Sequence, residues 1–80
     1  QKDEAIRIAS TAPICKKYNT YPDESWDAQL MYLDYGNSLY LSKVIGEKGS
    51  TPYGVLSIGV NLDTHTITSS NFDDWNRPYF

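Results

Sequence analysis

Apolar and polar residues alternate over residues 38–70, and short polar gaps divide this stretch into segments. The segments SLYLSKVIG, YGVLSIGVNL and TITSS are rich in apolar and β-branched residues, whereas EKGSTP and DTH consist mainly of turn formers. This pattern is typical of a meander of antiparallel hairpins. As a strand, the middle segment would carry aliphatic side chains along one side, which we expect to pack on a helix: Leu56, Ile58, Val60 and Leu62. Its other side would carry Tyr53, Val55, Ser57 and Gly59.

The first part of the chain has the pattern of a helix. Asp3 and Glu4 lie where a helix N-terminus favours negative charge, and apolar residues follow the 3.6-residue period over residues 2–12. These residues are Ala5, Ile6, Ile8, Ala9 and Ala12. Because Pro13 would break a helix interior, we predict a kink there, with Thr11 as the N-cap of a second short helix, ICKKY.

Further strands are predicted before and after the middle segment. A first strand would place Trp26, Ala28, Leu30 and Tyr32 on one face, and the residues DYGN would turn the chain into a second strand. That second strand has apolar residues on both faces, so the sequence does not decide which face points inward. The last strand covers residues 66–68, and the pattern ends after Ser70.

These elements predict one α+β domain. A kinked N-terminal helix would pack on a three- to four-stranded antiparallel β-meander. The domain would occupy residues 1–71, and residues 72–80 would form an aromatic C-terminal tail.

Composition narrows the class of protein. The chain has 80 residues, of which 40% are hydrophobic, which argues for one small core and against disorder. Its net charge of −3 argues against nucleic acid as a partner. The single cysteine, Cys15, lies among apolar helical positions, so we expect a buried free thiol. No apolar run reaches the roughly 18–20 residues of a membrane span, and the start at Gln1 suggests a mature or excised piece of a longer protein.

The residues that could carry chemistry do not form a motif. His65, the only histidine, follows Asp63 in a short turn, and Asp73 and Asp74 are the other acidic residues considered beside it. No metal-ligand spacing or nucleotide-binding glycine fingerprint accompanies them. We therefore expect no enzyme activity, no cofactor and no bound metal.

Three stretches resemble the PepSY domain family: the leading helix with DEAIRIA at residues 3–9, LYLSKV at residues 39–44, and the strand and turn at residues 60–67. The resemblance places His65 where that family usually has glycine, and a positive φ there would cost histidine more than glycine. It also implies a non-enzymatic, extracytoplasmic domain, secreted or in the cell envelope, that inhibits or modulates a peptidase. The partner would be that peptidase or another envelope protein.

Two alternatives stay open. The residues YGVLSIGVNLD are similar to the late strands of Cache or PAS-like domains, which implies a fragment of a small-molecule sensor. The chain could equally be a purely structural domain of a larger envelope protein.

A recognition surface is expected on the sheet face or edge opposite the helix. Its aromatic anchors would be Tyr40, Tyr53 and Trp75. In the competing interpretation the tail covers these rings, with Trp75 folded over Tyr53.

Overall fold

The computed structural model describes residues 1–33 and 36–76, which form two short helices followed by a four-stranded antiparallel sheet. The strands lie in the order β1-β2-β3-β4, so the predicted α+β class and the meander are confirmed. The elements are α1 (Lys2–Ala9), α2 (Pro13–Lys17), β1 (Asp27–Leu33), β2 (Gly36–Ile45), β3 (Gly54–Asn61) and β4 (Thr66–Asp74).

The helical segment restarts at Pro13, as predicted, but its boundaries differ from the expected ones. Helix α1 ends at Ala9, where the hydroxyl of Ser10 donates to the carbonyl of Ile6 (2.7 Å). A residue before proline is driven to the extended region, and this makes Ala12 (φ −68°, ψ 130°) the N-cap of α2. The predicted N-cap, Thr11, is therefore wrong, and its hydroxyl donates to the carbonyl of Ile8 instead.

The core lies between the helices and one face of the sheet. Cross-strand partners share a face, and the pairs Leu39–Val60 and Leu41–Ile58 point toward the helices. This decides the inward side of β2, which the sequence left open. The buried apolar residues are Ala5, Ile8, Ala9, Ala12, Cys15, Trp26, Leu39, Leu41, Leu56, Ile58 and Val60.

Strand β1 lies at an edge of the sheet that the helices cover poorly. Trp26, just before β1, is buried, but Ala28 and Leu30 are exposed although they share its face. The reason is that α1 packs against β2, β3 and β4.

Strand β4 is longer than predicted. It runs to Asp74, so the boundary expected between residues 71 and 72 falls inside it. Phe72 pairs with Leu56 and stacks on Tyr18, with ring centroids 4.5 Å apart. A bulge next to Gly59 shifts the pairing, which leaves Thr68 as the extra residue. Residues 77–80 of the expected tail lie outside the described residues.

The turn between β3 and β4 contains a residue with a positive φ. His65 has a φ of +58°, in the left-handed region, which is less favourable for histidine than for the glycine that the resembling family usually has there. The side-chain oxygen of Asn61 accepts hydrogen bonds from the backbone N–H groups of Asp63 and Thr64. This closes the turn and satisfies Asn61 where it is buried.

The buried aliphatic face of β3 predicts that two side-chain truncations differ strongly in their effect on stability. Replacing the fully buried Leu56 with alanine should lower the free energy of unfolding by about 2–5 kcal/mol, because it leaves a cavity under the helices. Val44→Ala, at a residue that is 52% exposed on the other face, should cost less than about 1 kcal/mol. Urea denaturation of both variants measures the difference, and similar losses would contradict this division of the faces.

The buried thiol predicts a pH dependence of stability. Cys15 is fully buried, as expected, and burial raises the pKa of its thiol above the ordinary value. The thiol deprotonates more easily in the unfolded chain than in the folded protein. Its titration therefore leaves stability unchanged below about pH 8.5 and lowers the free energy of unfolding as the pH rises further. Cys15→Ala should lose less stability than the wild type between neutral and alkaline pH. Tyrosines and lysines titrate in both proteins and cancel in this comparison, so parallel curves would contradict the prediction.

Candidate functional site

The candidate site is the sheet face that points away from the helices, here called the outer face. Alternation along the strands assigns its positions, and the helices pack on the other side. Its members along the four strands are Asp27, Gln29, Ser38, Tyr40, Ser42, Val44, Val55, Ser57, Gly59, Asn61, Thr66, Ser69, Asn71 and Asp73.

The strand register arranges these side chains in rows across the sheet. One row is entirely polar, because Ser42 pairs with both Asp27 and Ser57, and Ser57 pairs with Asn71. On one side of it lies the row Gln29, Tyr40, Gly59 and Ser69, and on the other the row Val44, Val55 and Asp73. Short side chains therefore lie between two rows that contain larger ones.

This arrangement produces an open groove of about 720 Å³ across β1, β2 and β3. The serines of the polar row form part of its floor, and Tyr40 and Val55 stand on either side of them. Its lining residues are Asp27, Ala28, Gln29, Tyr40, Leu41, Ser42, Val55 and Ser57. A ligand in the groove would therefore contact both polar and apolar atoms.

The ring of Tyr40 is seated against Gly59 on the neighbouring strand. A Cβ atom added at Gly59 would lie 3.0 Å from Cε1 of Tyr40 and 2.5 Å from Oγ of Ser69. Any larger residue would push the ring or the serine away. Glycine at this position therefore lets Tyr40 lie close to the sheet, where it is half-buried.

The other two predicted anchors form a pair. The rings of Tyr53 and Trp75 meet edge to face, with centroids 5.1 Å apart and an interplanar angle of 79°. The backbone N–H of Trp75 donates to the carbonyl of Tyr53 (2.8 Å), and the side chain of Asn76 donates to the carbonyl of Ser50. The chain after β4 is thus held against the segment before β3, and Trp75 folds over Tyr53.

The three predicted anchors therefore do not form one cluster. Tyr40 pairs with Gly59, which lies six residues from Tyr53 along the chain, a separation of roughly 20 Å in an extended strand. Tyr40 lines the groove, whereas Tyr53 and Trp75 form a separate pair just before the start of β3. Sequence reasoning missed Asp27, Gln29 and Ser42 as groove residues. The alternation of Asp27 and Gln29 with the apolar residues of β1 was a signal that could have found two of them.

Charge on the outer face is negative at the described strand positions. Asp27 is exposed at the start of β1, and Asp73 lies on β4, whereas no lysine or arginine occupies the outer-face positions given above. The side chain of Lys43 belongs to the opposite face and donates to the hydroxyl of Ser25. Ser25 in turn donates to Asp23 and holds the pKa of that carboxyl below its ordinary value, with a smaller contribution from Lys43.

The turn residues considered for chemistry are engaged in structural contacts. Asp63 accepts from the backbone N–H of Asn37 (3.1 Å), and Nδ1 of His65 lies 3.6 Å from a carboxylate oxygen of Glu4. A hydrogen bond from Arg7 is the main cause of the lowered pKa of Glu4. These contacts link the turn to β2 and to α1.

The acidic residues considered beside His65 lie far from it. Asp73 and Asp74 are at the opposite end of β4, roughly 25 Å away along an extended strand. Within residues 1–33 and 36–76, no three histidine, cysteine or acidic side chains are placed to hold a metal ion. In the same part of the chain, neither helix has the length and apolar character needed to cross a membrane.

Comparison with known proteins found no match to this chain among protein-family models, curated proteins or solved structures.

The edge-to-face pair predicts energetic coupling between Tyr53 and Trp75. In a double-mutant cycle with leucine at each position, the coupling free energy should be about 0.5–1.5 kcal/mol, because either change removes the same ring contact. A control cycle pairs Trp75→Leu with Tyr40→Leu and should be additive within about 0.5 kcal/mol. Thermal or urea unfolding provides the values. Additivity at Tyr53 and Trp75 would mean that the ring of Trp75 does not stabilise the segment before β3.

Proposed function

We propose that this chain is a non-enzymatic protein-interaction module of PepSY type that inhibits or modulates a secreted or cell-envelope peptidase. The observation that carries the interaction role is the outer face of the sheet, which the described helices leave uncovered and which contains the groove beside Tyr40. The peptidase and the extracytoplasmic location follow from the resemblance at residues 3–9, 39–44 and 60–67.

The composition of the outer face supports a protein partner. Tyrosine and tryptophan are enriched at the centres of protein interfaces, where an apolar ring and a polar tip can both be satisfied. Tyr40 is half-buried and lines the groove together with Ser42 and Ser57, whose hydroxyl groups are polar partners for a bound segment. A partner could bury the exposed part of the ring while it forms hydrogen bonds with the serines.

The small-molecule sensor is the second candidate, because the groove volume falls within the roughly 300–1,000 Å³ of typical ligand sites. Such sites usually enclose most of the ligand surface, whereas this groove is open along the sheet. Its open shape favours a segment of a larger partner. A purely structural domain, the third alternative, would leave the groove empty.

The test combines capture with inhibition. The wild-type domain, immobilised and exposed to secreted proteins of its source organism, should retain a peptidase, and the soluble domain should alter the activity of that peptidase. Tyr40→Ala should weaken binding by about tenfold or more, because truncation of a central aromatic anchor costs about 2 kcal/mol. Tyr21→Ala is the matched control, since this tyrosine is 53% exposed and lies in the connection before β1.

Melting curves of both variants would separate loss of contact from loss of fold. An absence of any effect of the wild-type domain on a peptidase would contradict the proposed function. Equal losses in the two tyrosine variants would contradict the assignment of the groove. A small molecule that raises the melting temperature of the wild type but not of Tyr40→Ala would favour the sensor.

A further inference from the structure

The groove has an acidic end and no cation to balance it among its lining residues. Asp27 is exposed and lines the groove at β1, and the other lining residues are neutral. From this we infer that the partner segment in the groove is a basic extended peptide, with a lysine or arginine side chain against Asp27. The inference rests on the proposed function, because it names the chemistry of the segment that the module would bind.

Two lysines near the start of β1 are directed away from the groove. Lys43 is the lysine of the adjacent strand, and its side chain lies on the helix side of the sheet, where it donates to Ser25. Lys2 donates to the carbonyl of Glu24, before β1. Both ammonium groups are thus engaged with the segment at residues 23–25, and no ion pair to Asp27 is present among the described residues.

The spacing of the polar row fits a short extended segment that crosses the strands. Asp27, Ser42 and Ser57 occupy three neighbouring strands, so the row spans two inter-strand distances, roughly 10 Å. An extended peptide covers that distance with about three residues. The serine hydroxyls can donate to its carbonyls and accept from its N–H groups, while Tyr40 and Val55 flank it.

Charge also selects among possible occupants. A second copy of this chain would carry the same net charge of −3, so its approach would be opposed by repulsion. A neutral oligosaccharide could satisfy the serine hydroxyls but would bring no positive charge to Asp27. A basic segment meets both requirements, and complementary charge would also speed its association.

The inference can be tested by NMR titration of the isotope-labelled domain. The probes are a blocked pentapeptide with two arginines, the same peptide with glutamines in their place, and a neutral oligosaccharide of five glucose units. The arginine peptide should shift the amide signals of Ser42 and Ser57, and the shifts should weaken as salt is added. The glutamine peptide and the oligosaccharide should cause smaller shifts.

Two charge-neutralising variants locate the contact. Asp27→Asn should weaken binding of the arginine peptide by about 1.4-fold to fivefold, the range of an exposed ion pair. Asp3→Asn is the matched control, because Asp3 is exposed in the first turn of α1, and it should leave the affinity unchanged.

Several results would overturn the inference. These are equal binding of the arginine and glutamine peptides, stronger binding of the oligosaccharide, shifts confined to the helices, and an unchanged affinity in Asp27→Asn. If the wild-type domain inhibits a peptidase but does not bind the arginine peptide, the inference fails and the proposed function stands. If it binds the arginine peptide through Asp27 but affects no peptidase, the proposed function fails instead.

Discussion

The packing of α1 on the middle of the sheet is the interaction on which the rest of the structure depends. Leu56, Ile58 and Val60 of β3 are fully buried under the helices, and each such side chain contributes roughly 1.5–3 kcal/mol by leaving water. A chain of 80 residues can build only one small core, and here that core lies on one side of the sheet. The described helices consequently leave the outer face uncovered, although Ser38 and Asn61 at one end of it are buried.

The outer face is shaped by differences in side-chain size more than by hydrophobicity. Gly59 lets the ring of Tyr40 lie against the sheet, and the two serines beside it leave a depression that larger residues would fill. Serines and asparagine also keep an uncovered sheet face compatible with water. The same small polar residues thus make this face compatible with water and leave a groove in it.

Elements whose own sequence carries a period could be predicted, and elements formed by pairing could not. The aliphatic alternation of β3 and the helical period of α1 are local patterns, and both appear in the structure. The later part of β4 reads SSNFDD, in which Phe72 is the one apolar residue. It lacks the apolar alternation of a half-buried strand, so its strand conformation depends on hydrogen bonds to β3. The N-cap was misplaced for a similar reason, since the steric demand of Pro13 on Ala12 outweighed the capping tendency of Thr11.

The candidate site was predictable only where a single residue suggests a role. Tyr40 could be chosen because an aromatic residue on a strand face is a recognised interface anchor. Asp27, Ser42 and Ser57 are individually ordinary, and they become one acidic and hydroxyl-bearing row only when the register of three strands brings them side by side. Register depends on turns and on the buried face, so a mutation in the core could disturb the groove without touching it. The outer face is therefore best regarded as a product of the core packing, and its recognition chemistry as a property of pairs of strands.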